Sequence, residues 1–134
     1  KPACGPKGRG VRIKKNMKLT EIKRVEKPWG YELWWAQTDR YVGKILHINK
    51  GQSLSYQYHE VKDESLLLYS GKMALEIEEK GGTREILTLT PGESLRITPY
   101  TKHRMTAIEE CEVIEVSTPE VEDVVRIEDR YGRV

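Results

Sequence analysis

The sequence predicts an all-β protein, and three observations support that fold class. Apolar, β-branched and aromatic residues form short runs of strand length that recur about every 10 residues. Clusters of glycine, proline, asparagine and serine separate these runs and supply turn chemistry. No window shows a sustained helical period of apolar residues. Short strands at this spacing are typical of a β-sandwich or barrel.

The individual strands follow from residue type and alternation. The predicted strands, in order, are 31–37, 41–48, 53–59, 64–70, 72–79, 83–89, 94–97, 102–107 and 111–117. Turns are expected at Asn49-Lys50-Gly51, Ser70-Gly71, Lys80-Gly81-Gly82 and Thr90-Pro91-Gly92. Within 72–79, Met73, Leu75 and Ile77 alternate with more polar neighbours, which indicates a sheet with one face buried and the other exposed to solvent. The alternation over 111–117 is less regular.

The chain has the length of one domain, and its charges are unevenly distributed. Residues 1–18 hold seven Lys or Arg and no acidic residue, so the other 116 residues carry 16 basic and 21 acidic side chains. The opening is predicted to be a basic disordered tail or an expression remnant, with Met17 as the expected start of the ordered protein. The folded domain is expected at 19–134. Its net negative charge argues against binding nucleic acid.

Composition excludes two further classes. No run approaches the ~18 apolar residues that a membrane-spanning helix needs, so no membrane partner is expected. No apolar segment follows the basic opening, as a secretory signal would require. Cys4 lies in the tail and Cys111 in an apolar strand, so the two are not expected to form a disulfide. A cytoplasmic protein is therefore predicted.

Four residues with metal-ligating side chains are predicted to converge. Gln57 and His59 lie two apart and would share one face of a strand. Glu64 follows five residues later, where a second strand is expected to return antiparallel to the first. His103 comes from a separate hairpin, after Gly92. Two imidazoles, a carboxylate and an amide oxygen form a site suited to a divalent transition metal.

The spacing of these residues resembles the two motifs of the cupin superfamily. The matching residues are Gly51, Gln57, His59, Glu64 and Gly71 for the first motif, and Gly92 and His103 for the second. The glutamine in place of the first histidine, with Pro28-Trp29-Gly30 and the segment 127–133, resembles the type II mannose-6-phosphate isomerase domain. That domain also forms the C-terminal part of bifunctional mannose-1-phosphate guanylyltransferases. The resemblance covers roughly residues 25 to 133 and implies a single-domain cupin jelly-roll β-barrel.

The resemblance also implies an activity and a cofactor. The activity is a metal-dependent sugar-phosphate isomerisation, which interconverts an aldose and a ketose through an enediol-like intermediate. The metal ligands would be Gln57, His59, Glu64 and His103. Zinc is the first choice, with manganese, iron, cobalt and nickel as alternatives. A bound ion would act as a Lewis acid toward sugar hydroxyl and carbonyl oxygens.

Basic residues are the candidates for binding phosphate and moving protons. Arg126 and Arg133 match arginines that face the site in the resembled family, and together with Lys62 they are predicted to bind the substrate phosphate. Lys44 and Lys62 are candidate bases, because desolvation in a barrel can lower a lysine pKa toward neutrality. Arg133 is also counted among the candidate catalytic residues.

The two arginines reach one pocket only if the chain bends between them. They lie seven apart, so a continuous strand would point them to opposite faces. Asp129-Arg130-Tyr131-Gly132 supplies a plausible bend, because glycine adopts a positive φ readily. The alternative interpretation is that the terminal arginines form surface pairs with Glu128 and Asp129.

Several positions depart from the resembled family and keep other functions open. Lys62, Ser65 and Leu66 stand where that family has Arg, His and Trp, while Tyr100 replaces a usual Gly and Ala107 replaces the Asn of many cupins. The competing hypothesis is a non-catalytic cupin that binds a sugar phosphate or another small anion through the metal. A third is a different cupin enzyme, such as an oxygenase or a decarboxylase acting on a small acid.

A homodimer is the expected assembly. Cupins often pair through an edge strand, and the apolar segment Tyr31-Glu32-Leu33-Trp34-Trp35 looks suited to that role. Adjacent residues of a strand point to opposite faces. One tryptophan is therefore expected in the core and the other at an interface or under a covering loop.

Overall fold

A computed structural model describes residues 19–134 of the protein. The predicted tail at 1–18, with Cys4 and Met17, lies outside the described residues. The strands are β1 Lys23–Lys27, β2 Gly30–Gln37, β3 Val42–Ile48, β4 Tyr56–Tyr58, β5 Glu64–Glu78, β6 Glu85–Leu89, β7 Ser94–Ile97, β8 Lys102–Ser117 and β9 Val125–Glu128. The predicted all-β class is therefore confirmed. Within the described part of the chain, no helix is long and apolar enough to cross a membrane.

All strand pairs are antiparallel and belong to one curled sheet. The order along one path is β1-β2-β3-β8-β4-β9, and β5 pairs with β6, β7 and β8. The long strand β8 therefore has different neighbours at its two ends. Its first half runs between β4 and β5, and its second half runs between β3 and β5. This arrangement brings the ends of β4, β5 and β8 toward one region of the barrel.

The core is formed by the inward-facing residues of alternating strands. Met73 and Leu75 in β5 are buried, while the residues that follow each of them, Ala74 and Glu76, are partly exposed, which confirms the predicted alternation. The same inward faces carry charged residues at one end of the barrel: Lys44 continues the row of Leu46 and Ile48 in β3. The barrel thus has an apolar end and a buried polar end. Burying charge is unfavourable unless it is paired, so the polar end is the region to examine for function.

The predicted turn at Ser70-Gly71 is wrong, because the chain continues there as strand β5. The register with β8 shifts around Ser70 and Lys72, which marks an irregularity of the β-bulge type. Gly71 has a φ of 93°, and a Cβ at this position would lie 2.1 Å from the carbonyl oxygen of Glu110. Glycine is therefore required by a close approach between strands. In the same way, the predicted strands 102–107 and 111–117 form one strand.

The two ends of the sheet differ from the prediction as well. Strands β1 and β9 were not predicted, and the expected strand 53–59 is regular only over Tyr56–Tyr58, with an isolated bridge from Ser53 to Thr106. Strand β2 pairs with β1 on one side and with β3 on the other. The expectation that the segment 31–35 is a free edge for dimerisation is therefore wrong, since β1 already occupies that edge.

Candidate metal centre

Three of the four predicted metal ligands converge at the polar end of the barrel. Nε2 of His59 lies 2.9 Å from Oε2 of Glu64, and Nε2 of His103 lies 3.3 Å from the same oxygen. One ligand atom from each of the three residues lies within 4.8 Å of the others. All three side chains are buried, with at most 3% of each residue exposed. The spacing alone predicted this cluster.

The route by which Glu64 reaches the histidines differs from the expected hairpin. Strands β4 and β5 do not pair with each other. Instead, the loop between His59 and Glu64 is held by the carboxylate of Asp123, which accepts hydrogen bonds from the backbone amides of residues 60, 61 and 62 at 2.7–3.1 Å. These amide donors hold the pKa of the Asp123 carboxyl below its usual range, although burial opposes ionisation. Asp123 was missed because nothing local distinguishes it from other loop aspartates.

Backbone carbonyls orient both imidazoles. Nδ1 of His59 lies 2.5 Å from the carbonyl oxygen of Asp123, and Nδ1 of His103 lies 2.9 Å from that of Thr101. A carbonyl only accepts hydrogen bonds, so each Nδ1 carries the proton. In the neutral ring, the lone pair then belongs to Nε2, the atom that faces Glu64. Such outer contacts are typical of histidines that bind metals.

The donor set fits a divalent cation. Burial opposes ionisation of Glu64, but the two histidines and Lys62 outweigh it and hold the pKa of this carboxyl well below its usual range. If both rings are neutral, however, the ionised carboxylate and the two Nε2 atoms present only lone pairs to one another. Nε2 of His103 is buried and has no hydrogen-bond partner. Without a metal, these atoms attract only when a histidine is doubly protonated, whereas a cation satisfies all of them.

Gln57 lies beside this cluster. It pairs across strands with His103, and its Oε1 accepts a 2.6 Å hydrogen bond from the hydroxyl of Ser55. It lines the same cavity as Glu64. Its role as the fourth ligand stays a prediction.

A charged cavity of about 110 Å³ adjoins Glu64 and Gln57. Two tryptophans, Trp29 and Trp34, contribute to its wall. Its charged lining residues, besides Glu64, are Lys27, Glu32, Lys44, Glu115, Arg126 and Arg133. Both signs of charge therefore meet in one small cavity, which suits a small, polar and charged ligand.

The two lysines predicted as bases are paired with carboxylates. Nζ of Lys62 lies 3.1 Å from Glu115 and 3.7 Å from Glu64. Burial alone would lower the pKa of Lys62, but these two carboxylates outweigh burial and raise it. The expected shift toward neutrality is therefore wrong for Lys62. Nζ of Lys44 lies 3.3 Å from Oε1 of Glu32 and 4.2 Å from the ring centroid of Trp34.

Glu115 is a buried carboxyl that the sequence prediction missed. It lies on the inward face of β8, in the row of Cys111 and Val113, and only 4% of it is exposed. Burial raises the pKa of its carboxyl and the nearby Glu64 raises it further, while Lys62 and Lys44 oppose the shift. The irregular alternation over 111–117 was the available signal, because it placed a glutamate among inward-facing apolar residues.

Arg126 and Arg133 both line the charged cavity. Arg126 pairs with Gln57 across strands β9 and β4, and its buried Nε has no hydrogen-bond partner. Arg133 donates to Asp129 from Nε and Nη2 at 2.7 and 2.9 Å. The bend between the arginines is present, with Gly132 at a φ of 75°. Arg133 also pairs with Asp129, as the alternative interpretation expected. It is not a surface pair, however, because the Asp129 side chain is fully buried.

Among the positions that depart from the resembled family, two lie in the core and one has an unusual backbone conformation. Leu66 and Ala107 are both 1% exposed and belong to the core, while Ser65 is partly exposed. Tyr100 has a φ of 66°, a conformation that favours glycine. The tyrosine is therefore accommodated at an energetic cost, and the core positions are not available to bind a substrate.

The sequence matches one protein family over most of its length. A family model described as Mannose-6-phosphate isomerase C-terminal matches residues 14–129. The chain is also 30% identical over 116 residues to the xanthan biosynthesis protein XanB of Xanthomonas campestris pv. campestris. This match covers 83% of the chain but 24% of XanB, so the chain spans about a quarter of that relative's length.

Solved structures with the same fold are more distant in sequence. KdgF from a Halomonas species has a TM-score of 0.64 at 22% identity, over 75% of this chain and 88% of KdgF. Oxalate decarboxylase from Bacillus subtilis has a TM-score of 0.71 at 12% identity, over 95% of this chain and 40% of that enzyme. The capsular polysaccharide assembling protein CapF from Staphylococcus aureus has a TM-score of 0.62 at 15% identity, over 84% and 32% respectively. At such identities the likeness establishes the fold alone, and the predicted cupin jelly roll is confirmed.

Proposed function

Because the chain belongs to the mannose-6-phosphate isomerase C-terminal family, we propose that it is a metal-dependent sugar-phosphate isomerase of the mannose-6-phosphate isomerase type. The observation that carries this proposal is the arrangement of His59, Glu64 and His103. Their nitrogen and oxygen atoms converge beside a cavity in which Arg126 has an unpartnered, buried Nε. A metal centre next to a phosphate-binding group is what an aldose–ketose isomerisation on a phosphorylated sugar requires.

The metal would be held by His59, Glu64 and His103, with Gln57 as the fourth ligand. Zinc is the preferred ion, since imidazole and carboxylate ligands suit it, and manganese, iron, cobalt and nickel are the alternatives. When bound, the ion supplies Lewis acidity toward the substrate carbonyl and the neighbouring hydroxyl.

The phosphate is assigned to Arg126 and Arg133. Both guanidinium groups line the cavity, and arginine binds phosphate through paired hydrogen bonds. Lys62 was also a candidate, but its ammonium is directed to Glu64 and Glu115. Its role in the proposal is therefore to balance the negative charge of those two carboxylates.

Glu115 is assigned the proton transfer between the two reacting carbons. A base must accept a proton from one carbon and return it to its neighbour, which a carboxyl with a raised pKa does well near neutral pH. Glu115 lines the cavity with Glu64 and is buried away from bulk water. Lys44 remains part of the wall, where its ammonium is paired with Glu32.

A second candidate is a non-catalytic cupin that binds a sugar phosphate or another small anion. The specific observation in its favour is that both lysines predicted as bases are neutralised by buried glutamates. Ser65 and Leu66 also replace the His and Trp of the resembled isomerases. In this version the metal and Arg126 would bind the ligand without turnover.

We also propose a cytoplasmic homodimer that binds neither nucleic acid nor membrane. The buried free thiol of Cys111 supports a reducing compartment. The outer face of the sheet supports the dimer, because Leu33, Ile45, Ile114 and Leu67 lie in register across four neighbouring strands. An apolar row of this kind can pack against a second copy.

The test is turnover of mannose 6-phosphate to fructose 6-phosphate by the zinc-loaded protein, compared with Glu115→Gln and Arg126→Ala variants. We expect Glu115→Gln to lose turnover while it still binds metal. Arg126→Ala should weaken binding of the sugar phosphate by roughly ten- to a hundredfold, and should leave binding of neutral mannose unchanged. Arg40→Ala, on an exposed loop, is the control.

The outcomes separate the two candidates. Binding of mannose 6-phosphate that depends on Arg126, with no turnover for any sugar phosphate and any of the candidate metals, would favour the non-catalytic cupin. Equal affinity for sugar and sugar phosphate in all variants would contradict both.

A further inference from the structure

Tyr100 occupies a turn position that favours glycine. The turn Thr98-Pro99-Tyr100-Thr101 is closed by a 3.2 Å hydrogen bond from the amide of Thr101 to the carbonyl oxygen of Thr98. Proline at the second position and a positive φ at the third are features of a type II turn, whose third residue is usually Gly or Asn. A bulky residue with a φ of 66° is an outlier that lowers stability.

The tyrosine does not compensate by packing into the core. It remains 49% exposed and stacks on Tyr58, with ring centroids 5.8 Å apart and an angle of 26° between the planes. Its amide donates a 2.7 Å hydrogen bond to the carbonyl oxygen of His59. That bond uses only the backbone, so glycine would make it equally well. The backbone therefore does not need this side chain, and the exposed half of the ring is free to contact a ligand.

The two tyrosines form one wall of a surface groove of about 470 Å³. The rest of the lining consists of four charged residues, Glu78, Glu79, Lys80 and Lys102, together with Gly81 and Ile127. The groove is separate from the charged cavity, because Tyr58 and Gln57 are adjacent in strand β4 and point to opposite faces. Its volume is in the range of small-molecule sites.

The chemistry of the groove indicates the class of ligand. Two carboxylates and two ammonium groups balance, so the lining does not favour an anion such as a phosphate or a nucleic acid. The carboxylates accept hydrogen bonds and the ammonium groups donate them, while the aromatic wall offers an apolar surface. A pyranose ring combines these features, since it is neutral, has an apolar face and carries several hydroxyl groups.

We propose that the groove beside Tyr58 and Tyr100 binds a pyranose ring of a neutral saccharide. The ring would stack on the exposed tyrosine, and its hydroxyl groups would reach the glutamates and lysines. This site differs from the proposed isomerase site in position, in charge and in its independence from a metal.

The decisive variant is Tyr100→Gly, because glycine is the residue that the turn favours. We expect this variant to unfold at the same temperature as the unaltered protein or a higher one, so a loss of binding cannot be attributed to misfolding. Saturation-transfer NMR of the metal-loaded protein with methyl α-mannopyranoside, methyl β-glucopyranoside and cellobiose is the measurement. Affinity for the saccharide that binds should fall roughly three- to tenfold in Tyr100→Gly.

Three controls define the result. Tyr100→Phe should retain binding, because the ring is kept. Tyr69→Ala removes an even more exposed tyrosine from another surface, and it should have no effect. Removal of the metal with a chelator should also leave binding at the groove unchanged, which distinguishes this site from the proposed metal-dependent isomerase site.

The proposal is overturned if none of the three saccharides binds at millimolar concentration, or if Tyr100→Gly binds them as well as the unaltered protein does. It is also overturned if adenosine or uridine binds at Tyr100 in preference to the saccharides, since the groove would then be a nucleobase site. A clearly lower unfolding temperature for Tyr100→Gly would show that the tyrosine serves stability, and would remove the premise.

Discussion

At the scale of single residues, the three histidines differ in what surrounds their ring nitrogens. His59 and His103 each bind a backbone carbonyl through Nδ1 and present Nε2 to Glu64. His47 instead contacts two carboxylates, with Nε2 at 2.7 Å from Glu110 and Nδ1 against Glu112. Its ring is stacked on Tyr31 on the outer part of the sheet. His47 is therefore a matched control for the two candidate ligands.

The first prediction concerns metal content. His59→Ala and His103→Ala should each lose most of the bound metal, because each removes one nitrogen ligand from a buried site. His47→Ala should keep it. Metal analysis of the purified variants after zinc loading and desalting checks this. Full occupancy in all three variants would contradict the assignment of the site.

Asp129 provides a second prediction at this scale. Its fully buried side chain accepts hydrogen bonds from Arg133, which lower the pKa of the carboxyl from 3.8 to about 2, although burial opposes the shift. Because the pKa of this carboxyl is lower in the folded state than in the unfolded state, its ionisation stabilises the fold at pH values above the unfolded pKa. This contribution is lost as the pH falls toward 2. Asp129→Asn should therefore reduce the free energy of unfolding by about 2 kcal/mol at neutral pH.

The pH dependence separates this effect from a general loss of packing. The difference in stability between Asp129→Asn and the unaltered protein should shrink as the pH is lowered from about 4 to about 2. Urea unfolding across that range is the measurement, with the exposed Asp39→Asn as the control. A difference that stays constant with pH would mean that the carboxylate charge is not what stabilises the C-terminal bend.

The residues of the site were predictable to different degrees. The motif spacing predicted that His59, Glu64 and His103 converge, because ligand-type residues at fixed intervals carry a joint signal. Glu115 and Asp123 belong to no spaced motif. The irregular alternation over 111–117 marks Glu115 as unusual but assigns it no role, and an aspartate in a loop is usually solvated. The roles of both residues follow from their burial and partners in the folded chain.

At the scale of the strands, alternation was a good guide, and three of the four predicted turns are present, at 49–51, 80–82 and 90–92. Ser70-Gly71 is the exception. The sequence Ser70-Gly71 looks like a turn, yet β5 continues through it, and β8 continues opposite it. The physical reason is that glycine serves a close strand contact as well as a turn. Strand β1 was missed because Lys23–Lys27 has one apolar residue, Val25, among four charged ones and therefore carries little apolar signal. Such an edge strand is held by backbone hydrogen bonds to β2.

The role of Gly71 leads to the third prediction. In Gly71→Ala the new Cβ would lie 2.1 Å from the Glu110 carbonyl oxygen, and φ is unfavourable for alanine. The free energy of unfolding should fall by about 2 kcal/mol or more. In Gly81→Ala φ is also positive, but nothing lies within 4 Å of the added carbon. That control should lose only about 1 kcal/mol.

Chemical denaturation of the two variants checks this comparison. Equal losses would show that backbone conformation alone explains the cost at Gly71. The contact between β5 and β8 would then be less rigid than the register shift indicates.

At the scale of the whole molecule, the barrel combines an apolar end that holds the fold together with a polar end that is costly to bury. The core cluster runs from Trp29 and Leu46 through Met73 and Leu75 to Val113. The polar end holds His59, Glu64, His103 and the two Lys–Glu pairs at similarly low exposure. The apolar end gains stability from burial, whereas the polar end depends on pairing and, on our proposal, on a metal.

This division leads to the last prediction. A ligand that binds only the native state stabilises it by mass action, by about 2.7 kcal/mol when its free concentration is a hundred times its dissociation constant. Treatment with a chelator should therefore lower the melting temperature of the protein, and added zinc should restore it. In His103→Ala the metal-dependent shift should largely disappear, because one of the buried ligands is missing. Calorimetry of both proteins with and without zinc is the measurement. A melting temperature that is the same in the metal-free and zinc-loaded protein would mean that the buried polar end is stable by its hydrogen bonds and ion pairs alone, and the cluster would then be structural.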